Sequence, residues 1–306
     1  MIQQLRKGLQ AALALVLITV LFLILAPTYR QWETFSGILE QSTVLAIMAV
    51  GTTVVLISGG LDLSVGSILA LSTCVAGGLL ASGAPVWSAV AAGVGVGLLV
   101  GLINGLTVAM TNVPPFIVTL GMMMAARGVA LMAGEGRDMS GFPPAFAAIG
   151  SGWVVPVAIA AAVAALVAAV LSTTRFGFHV YAVGGNAEVA RLSGVPVRRS
   201  RVICYGLGGL LAGLAAVVQT AKFDFATPNR GEGWELQAIA AAVIGGTSLF
   251  GGIGGVGRTI IGVLIIKSLE TGLIHCGVGS YWQKVAIGCV IVVAVWIDRL
   301  QRRQKA

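Results

Sequence analysis

The sequence predicts an all-α, polytopic membrane protein with about ten transmembrane helices in two pseudo-symmetric halves. Three observations favour this fold class: 57% of the 306 residues are hydrophobic, only 10% are charged, and the mean hydropathy is +0.97. A soluble domain carries about 25% charged residues, and a chain of this length cannot hide so much apolar surface in a water-facing core. Disordered chains are also excluded, because they combine low hydrophobicity with high charge.

Ten apolar stretches are candidate membrane spans, because a bilayer core about 30 Å thick needs roughly 20 apolar residues in a helix. They are Leu9–Ala26, Thr43–Ile57, Ser64–Ala81, Trp87–Met110, Phe116–Ala133, Val154–Leu171, Val202–Thr220, Ala238–Leu249, Thr259–Ile274 and Trp282–Ile297. The second and the eighth are short and contain or adjoin glycine. The connections leave no room for a soluble domain, so we expect residues 1–306 to form one transmembrane domain. Its halves are about 1–150 and 151–306.

The Lys and Arg residues near the span ends predict the orientation, because the cytoplasmic loops of membrane proteins are enriched in them. With the N-terminus inside, the cytoplasmic side receives Arg6, Lys7, Arg175, Arg191, Arg198, Arg199, Arg201, Arg258, Arg299, Arg302, Arg303 and Lys305. We therefore expect both termini in the cytoplasm and an even number of spans. The net charge of +8 then reflects orientation in the membrane, and binding to nucleic acid is not needed to explain it.

The long basic connection at residues 172–201 is predicted to be a cytoplasmic loop that contains one short helix. Asn186 is a favourable N-cap residue, and Glu188 places an acid in the first turn. Gly194 can end the helix in the left-handed conformation, and Pro196 prevents its continuation.

Two faces of this short helix suggest contact with a partner. Val189 and Leu192 share one face, and Glu188 and Arg191 share another. A capped helix with apolar side chains in a cytoplasmic loop is suited to docking in a groove of another protein. It is equally suited to lying on the lipid surface, where basic residues favour anionic headgroups, and the residues alone leave both interpretations open.

The segment Ser58–Ser67 contains a glycine pair and Asp62, the only acidic residue between Glu40 and Glu135. An ionisable residue at membrane depth is costly, which predicts that Asp62 and the neighbouring Ser64 lie on a polar passage or at a gate. Alternatively, Asp62 or Ser64 is the N-cap of the third span and satisfies its free amides. The two interpretations are compatible.

A second glycine-rich break, Gly245–Arg258, follows the eighth span, so each half has a short span, a break and a further span. Such paired interruptions are typical of transporters with an internal repeat and a path between the repeats. Part of the excess of 43 glycines falls in these two breaks. Further candidates for the path lie in or beside the spans: Asn104, Phe116, Arg127, Gln237, Thr247 and Lys267. Asn104 could instead bond a neighbouring helix, and Arg127 and Lys267 could extend to the membrane surface.

The segment at residues 222–235 is expected on the outer side and mixes both charges with aromatic residues. This composition suits a docking rim for a soluble partner, although anchoring of an aromatic ring at the membrane interface explains the tryptophan equally well. The candidate docking residues are Lys222, Asp224, Arg230, Glu232 and Trp234.

Motifs of enzymes and metal sites are missing from the sequence. It has no HExxH, no GxSxG and no GxxxxGK[ST]. Its two histidines, His179 and His275, are expected on opposite faces of the membrane, so they cannot act as a pair. The four cysteines have no CxxC spacing. We therefore expect no catalytic residue and no metal, and any ATP used must bind another chain.

Three segments resemble, in the expected order, the ribose-type sugar permeases of bacterial ABC importers, which fall within a branched-chain-permease-like superfamily. They are residues 40–72 around SGGLDLSVGS, RFGFHVYAVGGNAEVARLSGVPV at 175–197, and GWELQAIAAAVIGGTSLFGGIGGVGRTIIG at 233–262. Three motifs in register are far more specific than one glycine-rich stretch alone.

The resemblance implies a multi-pass subunit of the bacterial cytoplasmic (inner) membrane with several protein partners. A second permease chain would pair with it, as a homodimer or a paralogous heterodimer. ABC ATPase subunits carrying ATP and Mg would dock on the cytoplasmic side, and a periplasmic or lipid-anchored binding protein would deliver a monosaccharide such as ribose. The chain itself would hold no cofactor.

In this family the loop matching residues 185–197 is the coupling helix in the ATPase cleft, which favours the docking interpretation. The implied coupling residues are Gly185, Asn186, Glu188, Val189, Arg191, Leu192 and Gly194. A permease for branched-chain amino acids or nucleosides remains an alternative. An ion-coupled transporter would need intramembrane carboxylates, for which only Asp62 and Glu270 are candidates. A membrane enzyme is disfavoured because no catalytic constellation exists.

Overall fold

A computed structural model describes residues 2–111 and 113–303, without the side chains of residues 2–7, 291, 293–295 and 297–303. In the described residues the α-helices are α1 Ile2–Leu25, α2 Trp32–Ile57, α3 Val65–Ala81, α4 Val86–Met110, α5 Pro115–Ala133, α6 Pro144–Ala147, α7 Val154–Thr173, α8 Arg175–Gly185, α9 Ala187–Leu192, α10 Val197–Phe223, α11 Trp234–Ile244, α12 Val256–His275 and α13 Ser280–Arg303. A 3-10 turn covers Pro27–Arg30, and the two-residue strands β1 Met139–Ser140 and β2 Phe225–Ala226 pair antiparallel.

The helices confirm an all-α, polytopic fold. Helices α1–α5, α7 and α10–α13 coincide with the ten predicted spans. Within the described part of the chain, six helices are long and apolar enough to cross a membrane: α1, α2, α4, α5, α7 and α10. Helices α3 and α11 are apolar but shorter.

Several helices begin or end some residues away from the predicted spans, and two of these differences have a clear physical reason. Helix α2 begins at Trp32, well before the predicted Thr43, because its polar first turns continue the helix beyond the apolar window to the molecular surface. Helix α11 ends at Ile244, before the predicted Leu249, because Gly246 adopts a φ of +87° that a helix does not allow.

The connection at residues 172–201 is more helical than predicted. It holds two helices, α8 and α9, and α10 begins at Val197 inside the expected loop. Thr174 caps α8 by accepting a hydrogen bond from Gly177 N at 3.2 Å. Arg175, His179 and Tyr181 lower the hydropathy of α8 so that it resembles a loop, yet Val180 and Val183 are buried against the bundle.

Helices α2 and α10 form the centre of the bundle. Over an apolar stretch of 18 residues in each helix, 83% of the residues of α2 and 72% of those of α10 are buried, compared with 11% in α1 and 17% in α5. A central helix is surrounded by other helices and is therefore apolar on all sides. The exposed apolar faces of α1 and α5 are left for lipid or another chain.

Helices α4 and α10 are joined by a glycine seam, which we define as Gly97 and Gly101 of α4 against Gly209 and Gly213 of α10. A Cβ added at Gly97 would lie 2.8 Å from Gly213 Cα, and one added at Gly101 would lie 3.0 Å from Gly209 Cα. Small residues at a four-residue spacing let two membrane helices approach to backbone contact. A further part of the glycine excess thus lies inside helices, outside the two breaks that the sequence indicates.

The bundle has two ends of different character. We call the end with α8 and α9 the inner end; Gly8 of α1 lies there beside Arg258 of α12. The outer end contains the 3-10 turn and the β1–β2 pair, and there Thr28 Oγ1 lies 2.8 Å from His275 Nδ1. His179 and His275 therefore lie at opposite ends, as predicted.

Candidate functional site

The short helix α9 has the predicted capping. Asn186 Oδ1 accepts hydrogen bonds from Glu188 N and Val189 N, both at 3.0 Å. The chain after the helix turns at Gly194 with a φ of +80°. Local sequence rules therefore fix both ends of this helix.

The outward face of α9 is apolar at one edge and charged at the other. Val189 and Leu192 are 57% and 74% exposed, whereas Ala190 is buried against the molecule. Arg191 Nη2 donates to Glu188 Oε1 at 2.6 Å. This hydrogen bond and the positive charge of Arg191 lower the pKa of the Glu188 carboxyl. The exposed face of α9 is thus fixed by hydrogen bonds within the helix and is not covered by the rest of the described chain.

Directly before α9, three glycine segments meet in backbone contact, and we call this the inner glycine junction: Ile57, Gly59, Gly184, Gly251 and Gly252. Ile57 O accepts a hydrogen bond from Gly252 N at 2.9 Å. A Cβ added at Gly184 would overlap the Ile57 carbonyl oxygen, and one added at Gly251 would lie 2.8 Å from Gly59 Cα. The two breaks that the sequence places in opposite halves therefore touch each other.

Helix α8 links α9 to this junction. Its residue Tyr181 donates a hydrogen bond to Gly254 O at 3.2 Å, and Gly184 near its end lies between the two breaks. Helix α9 begins at Ala187, so only a short piece of chain separates it from the junction at Gly184. Both breaks are visible in the sequence, whereas the contacts of Gly184 and Tyr181 are not, since no local pattern shows which residue a side chain or a glycine faces.

Asp62, Ser64 and Asn104, three predicted path residues, form one fully buried cluster. Asp62 Oδ1 accepts hydrogen bonds from Ser64 N at 2.8 Å and from Ser64 Oγ at 2.6 Å. Asn104 Nδ2 donates to Ser64 Oγ at 2.8 Å, so the interhelical bond considered for Asn104 is present. Asp62 Oδ2 and Asn104 Oδ1 have no partner among the described residues.

The capping alternative for this cluster is only partly right. Ser64 occupies the N-cap position of α3, but its side chain makes no capping hydrogen bond. Asp62 accepts from the amide of Ser64 itself and not from the first turn of α3. The preceding residue, Leu61, is fixed by Tyr205, whose hydroxyl lies 3.2 Å from Leu61 N and 3.3 Å from Leu61 O.

The predicted docking residues of the outer segment are partly engaged inside the chain. Lys222 Nζ lies 3.3 Å from Glu40 Oε1. Asp224 accepts from Phe142 N at 2.8 Å and from Gly141 N at 3.2 Å, which fixes the loop after β1. The Arg230 guanidinium stacks over an aromatic ring of this segment, and Glu232 is exposed.

The outer segment also walls a cavity of about 710 Å³ that opens at the outer end. Arg230, Glu232 and Trp234 line it. Arg127 of α5 steadies the segment from behind, because Arg127 Nη1 donates to Pro228 O at 2.6 Å and to Arg230 O at 2.9 Å. Arg127 is not among the residues that line this cavity.

The structure distributes the other path candidates over different places. Phe116 is about half exposed at the start of α5, and Thr247 is fully buried in the second break. Gln237 Nε2 donates to Glu270 Oε1 at 3.3 Å in the outer half. Lys267 Nζ donates to the other oxygen of this carboxylate, Oε2, at 2.6 Å, so the two residues form an ion pair inside the chain.

Comparison with known proteins gives a match to one family over most of the chain. The family of branched-chain amino acid transport system permease components matches residues 34–295. No solved structure matches the chain.

Among curated proteins, the relatives that are similar to this chain include sugar permeases of two bacteria. The ribose import permease protein RbsC of Bacillus subtilis is 40% identical over 293 residues, covering 94% of this chain and 91% of the relative. RbsC of Escherichia coli K12 is 39% identical over 297 residues, covering 94% and 92%. The D-allose transport system permease protein AlsC of the same strain is 39% identical over 292 residues, covering 94% and 90%.

Proposed function

The chain belongs to the family of permease components of branched-chain amino acid transport systems, and we propose that it is the membrane-spanning permease subunit of an ABC importer that carries a monosaccharide inward. The proposed substrate class is a ribose-like pentose or a related sugar. It follows from relatives named for ribose and allose, which are similar over nearly the whole chain.

The observation that carries the proposal is the position of α9. This capped helix exposes Val189 and Leu192 and follows Gly184, which is packed between the two breaks. A helix that meets a partner on one side and a packed backbone junction on the other is suited to transmit a partner's movement into the bundle.

The proposed assembly supplies what this chain lacks. Two ABC ATPase subunits with ATP and Mg dock on α9 of two permease chains, and a periplasmic or lipid-anchored sugar-binding protein docks at the outer end. The complex lies in the bacterial inner membrane, and ATP hydrolysis takes place on the partner subunits. Closure of the ATPase dimer draws the two α9 helices together, and the path opens to the other face by alternating access. No covalent chemistry takes place in this chain.

The test of the coupling assignment uses two substitutions on α9. We expect Leu192→Asp to abolish co-purification of the ATPase, because it places a charge in an apolar contact, and Glu188→Lys to abolish it by reversing a charge. Tyr281→Asp, at an 84% exposed residue of the outer end, is the control. The measurement is the amount of ATPase that co-purifies with the intact, membrane-inserted chain.

If both α9 variants recovered as much ATPase as the wild type, the coupling role would be refuted.

A separate measurement tests the energy source in liposomes. We expect uptake to require ATP and a binding protein, because Glu270, one of the two candidate carboxylates for ion coupling, is already paired with Lys267. Uptake driven by protons or sodium with this chain alone would contradict the ABC assignment.

A further inference from the structure

A smaller cavity of about 140 Å³ lies in the outer half between α2, α10, α11 and α12. We call it the polar chamber and define it by Gln41, Gln219, Lys222, Trp234, Gln237 and Lys267. Arg230, Trp234 and Gln237 line both the chamber and the large outer cavity. The two cavities are therefore neighbours, separated by these three residues.

The most informative residue of the chamber is Gln219 of α10. Its side chain is 2% exposed and lines the cavity, and Nε2 has no hydrogen-bond partner among the described residues. Buried polar atoms in folded proteins are nearly always paired, with protein or with a bound molecule. The amide of Gln219 is thus an unsatisfied hydrogen-bonding group in the wall of the chamber.

The lysines of the chamber already have acidic partners. Lys267 Nζ lies 2.6 Å from Glu270 Oε2, and Glu270 Oε1 accepts from Gln237 Nε2 at 3.3 Å. Lys222 Nζ lies 3.3 Å from Glu40 Oε1. The walls therefore offer both donors and acceptors, and the charges of the two lysines are compensated, whereas Arg230 has no acidic partner among the described residues.

Two further groups shape the entrance from the outer cavity. Trp234 presents an aromatic ring to both cavities. The Arg230 guanidinium carbon lies 5.3 Å from the centroid of the Phe223 ring and 5.6 Å from that of Phe225, which holds it at the rim. Aromatic faces carry negative charge density and attract weakly positive edges such as the C–H groups of a sugar ring.

We infer that the polar chamber is a transit site for the transported solute, that this solute is a neutral, hydroxyl-rich sugar, and that the Gln219 amide is its principal hydrogen-bond donor. The inference rests on the proposed function and extends it to named residues. Sugar hydroxyls both donate and accept, so they match amides and paired charges lying side by side. A zwitterionic amino acid would instead need an unpaired carboxylate for its ammonium group, and Glu40 and Glu270 are both engaged.

The test uses the full chain in proteoliposomes with its ATPase and binding protein, and D-ribose, D-allose, D-galactose and L-leucine as probes. We expect Gln219→Leu to lower initial sugar uptake about five- to tenfold, the loss that one hydrogen bond to a neutral group brings. ATP hydrolysis by the complex should stay at the wild-type rate. Gln10→Leu, the same substitution on the exposed face of α1, should change neither rate.

A second variant covers the case in which Gln219→Leu does not assemble, which loss of ATP hydrolysis would reveal. Gln41 is exposed at the chamber wall, so Gln41→Trp can fill the cavity without disturbing the core. We expect it to stop sugar uptake and leave ATP hydrolysis intact.

The possible outcomes separate the two levels of the proposal. Sugar uptake by the wild type together with unchanged uptake by Gln219→Leu and Gln41→Trp would overturn the transit site and leave the proposed function standing. Uptake of L-leucine but of no sugar by the wild type would overturn the proposed function and the sugar assignment with it.

Discussion

The inner glycine junction and the polar chamber are packed in opposite ways within one bundle. At the junction, backbone meets backbone: Ile57 O bonds Gly252 N at 2.9 Å, and Gly184 leaves no space for a side chain. At the chamber, long side chains such as Gln219 and Lys267 leave a cavity of about 140 Å³. Direct backbone contact transmits displacement with little slack, whereas a cavity lined with amides and paired charges can accept a solute.

The largest effect is expected from Gly184→Ala, which strikes the junction itself. The added Cβ overlaps the Ile57 carbonyl oxygen, so the variant should lose about 3 kcal/mol or more of stability and all coupled transport. Gly257→Ala is the control, because a Cβ there meets nothing within 4 Å. Thermal unfolding of the purified chain and uptake measure the difference. Equal behaviour of the two variants would show that the junction is not tightly packed.

A smaller loss is expected from Ser64→Ala, between the two regions. Ser64 Oγ joins Asn104 Nδ2 to Asp62 Oδ1, so its removal leaves buried polar groups without partners. The free energy of unfolding should fall by about 2 kcal/mol. The exposed Ser82, whose hydroxyl donates to Leu79 O, provides the control Ser82→Ala. An unchanged unfolding midpoint for Ser64→Ala would mean that water reaches this cluster and replaces the lost hydrogen bonds.

The smallest loss is expected at the outer end from Arg127→Met. The half-buried guanidinium holds the carbonyls of Pro228 and Arg230, and water can partly replace it there. We expect a loss of about 1 kcal/mol and faster proteolysis of the segment at residues 224–233. The exposed Arg137 provides the control Arg137→Met. A larger loss than that of Ser64→Ala would show that water does not replace the Arg127 guanidinium at these carbonyls.

Features that depend on neighbours in the sequence were predictable from it. The ten apolar stretches correspond to helices because hydrophobicity is a local property of a span. The N-cap at Asn186 and the left-handed Gly194 were predictable because capping involves residues only a few positions apart.

Features that depend on which surfaces meet were not predictable. The sequence predicts a loop where α8 lies, because charged and polar residues interrupt the apolar pattern there. The buried valines of α8 make their contacts only within the folded bundle. No sequence pattern marks Gly184 or Gln219, because residues far away in the chain determine their surroundings. Gly184 packs against the carbonyl of Ile57, and Gln219 lines a cavity formed by four helices. The roles assigned to the coupling, path and docking residues stay predictions until the variants are measured.

The glycine seam between α4 and α10 limits how this chain can deform. Helix α4 comes from the first half and α10 from the second, and Gly97 and Gly101 bring their backbones into contact with Gly213 and Gly209. A motion that parted the halves would open a slot too narrow for lipid or side chains to fill and would forfeit its dispersion contacts. The seam thus holds α4 and α10 together as one rigid unit. We expect the hinge of any transport cycle to lie outside these two helices.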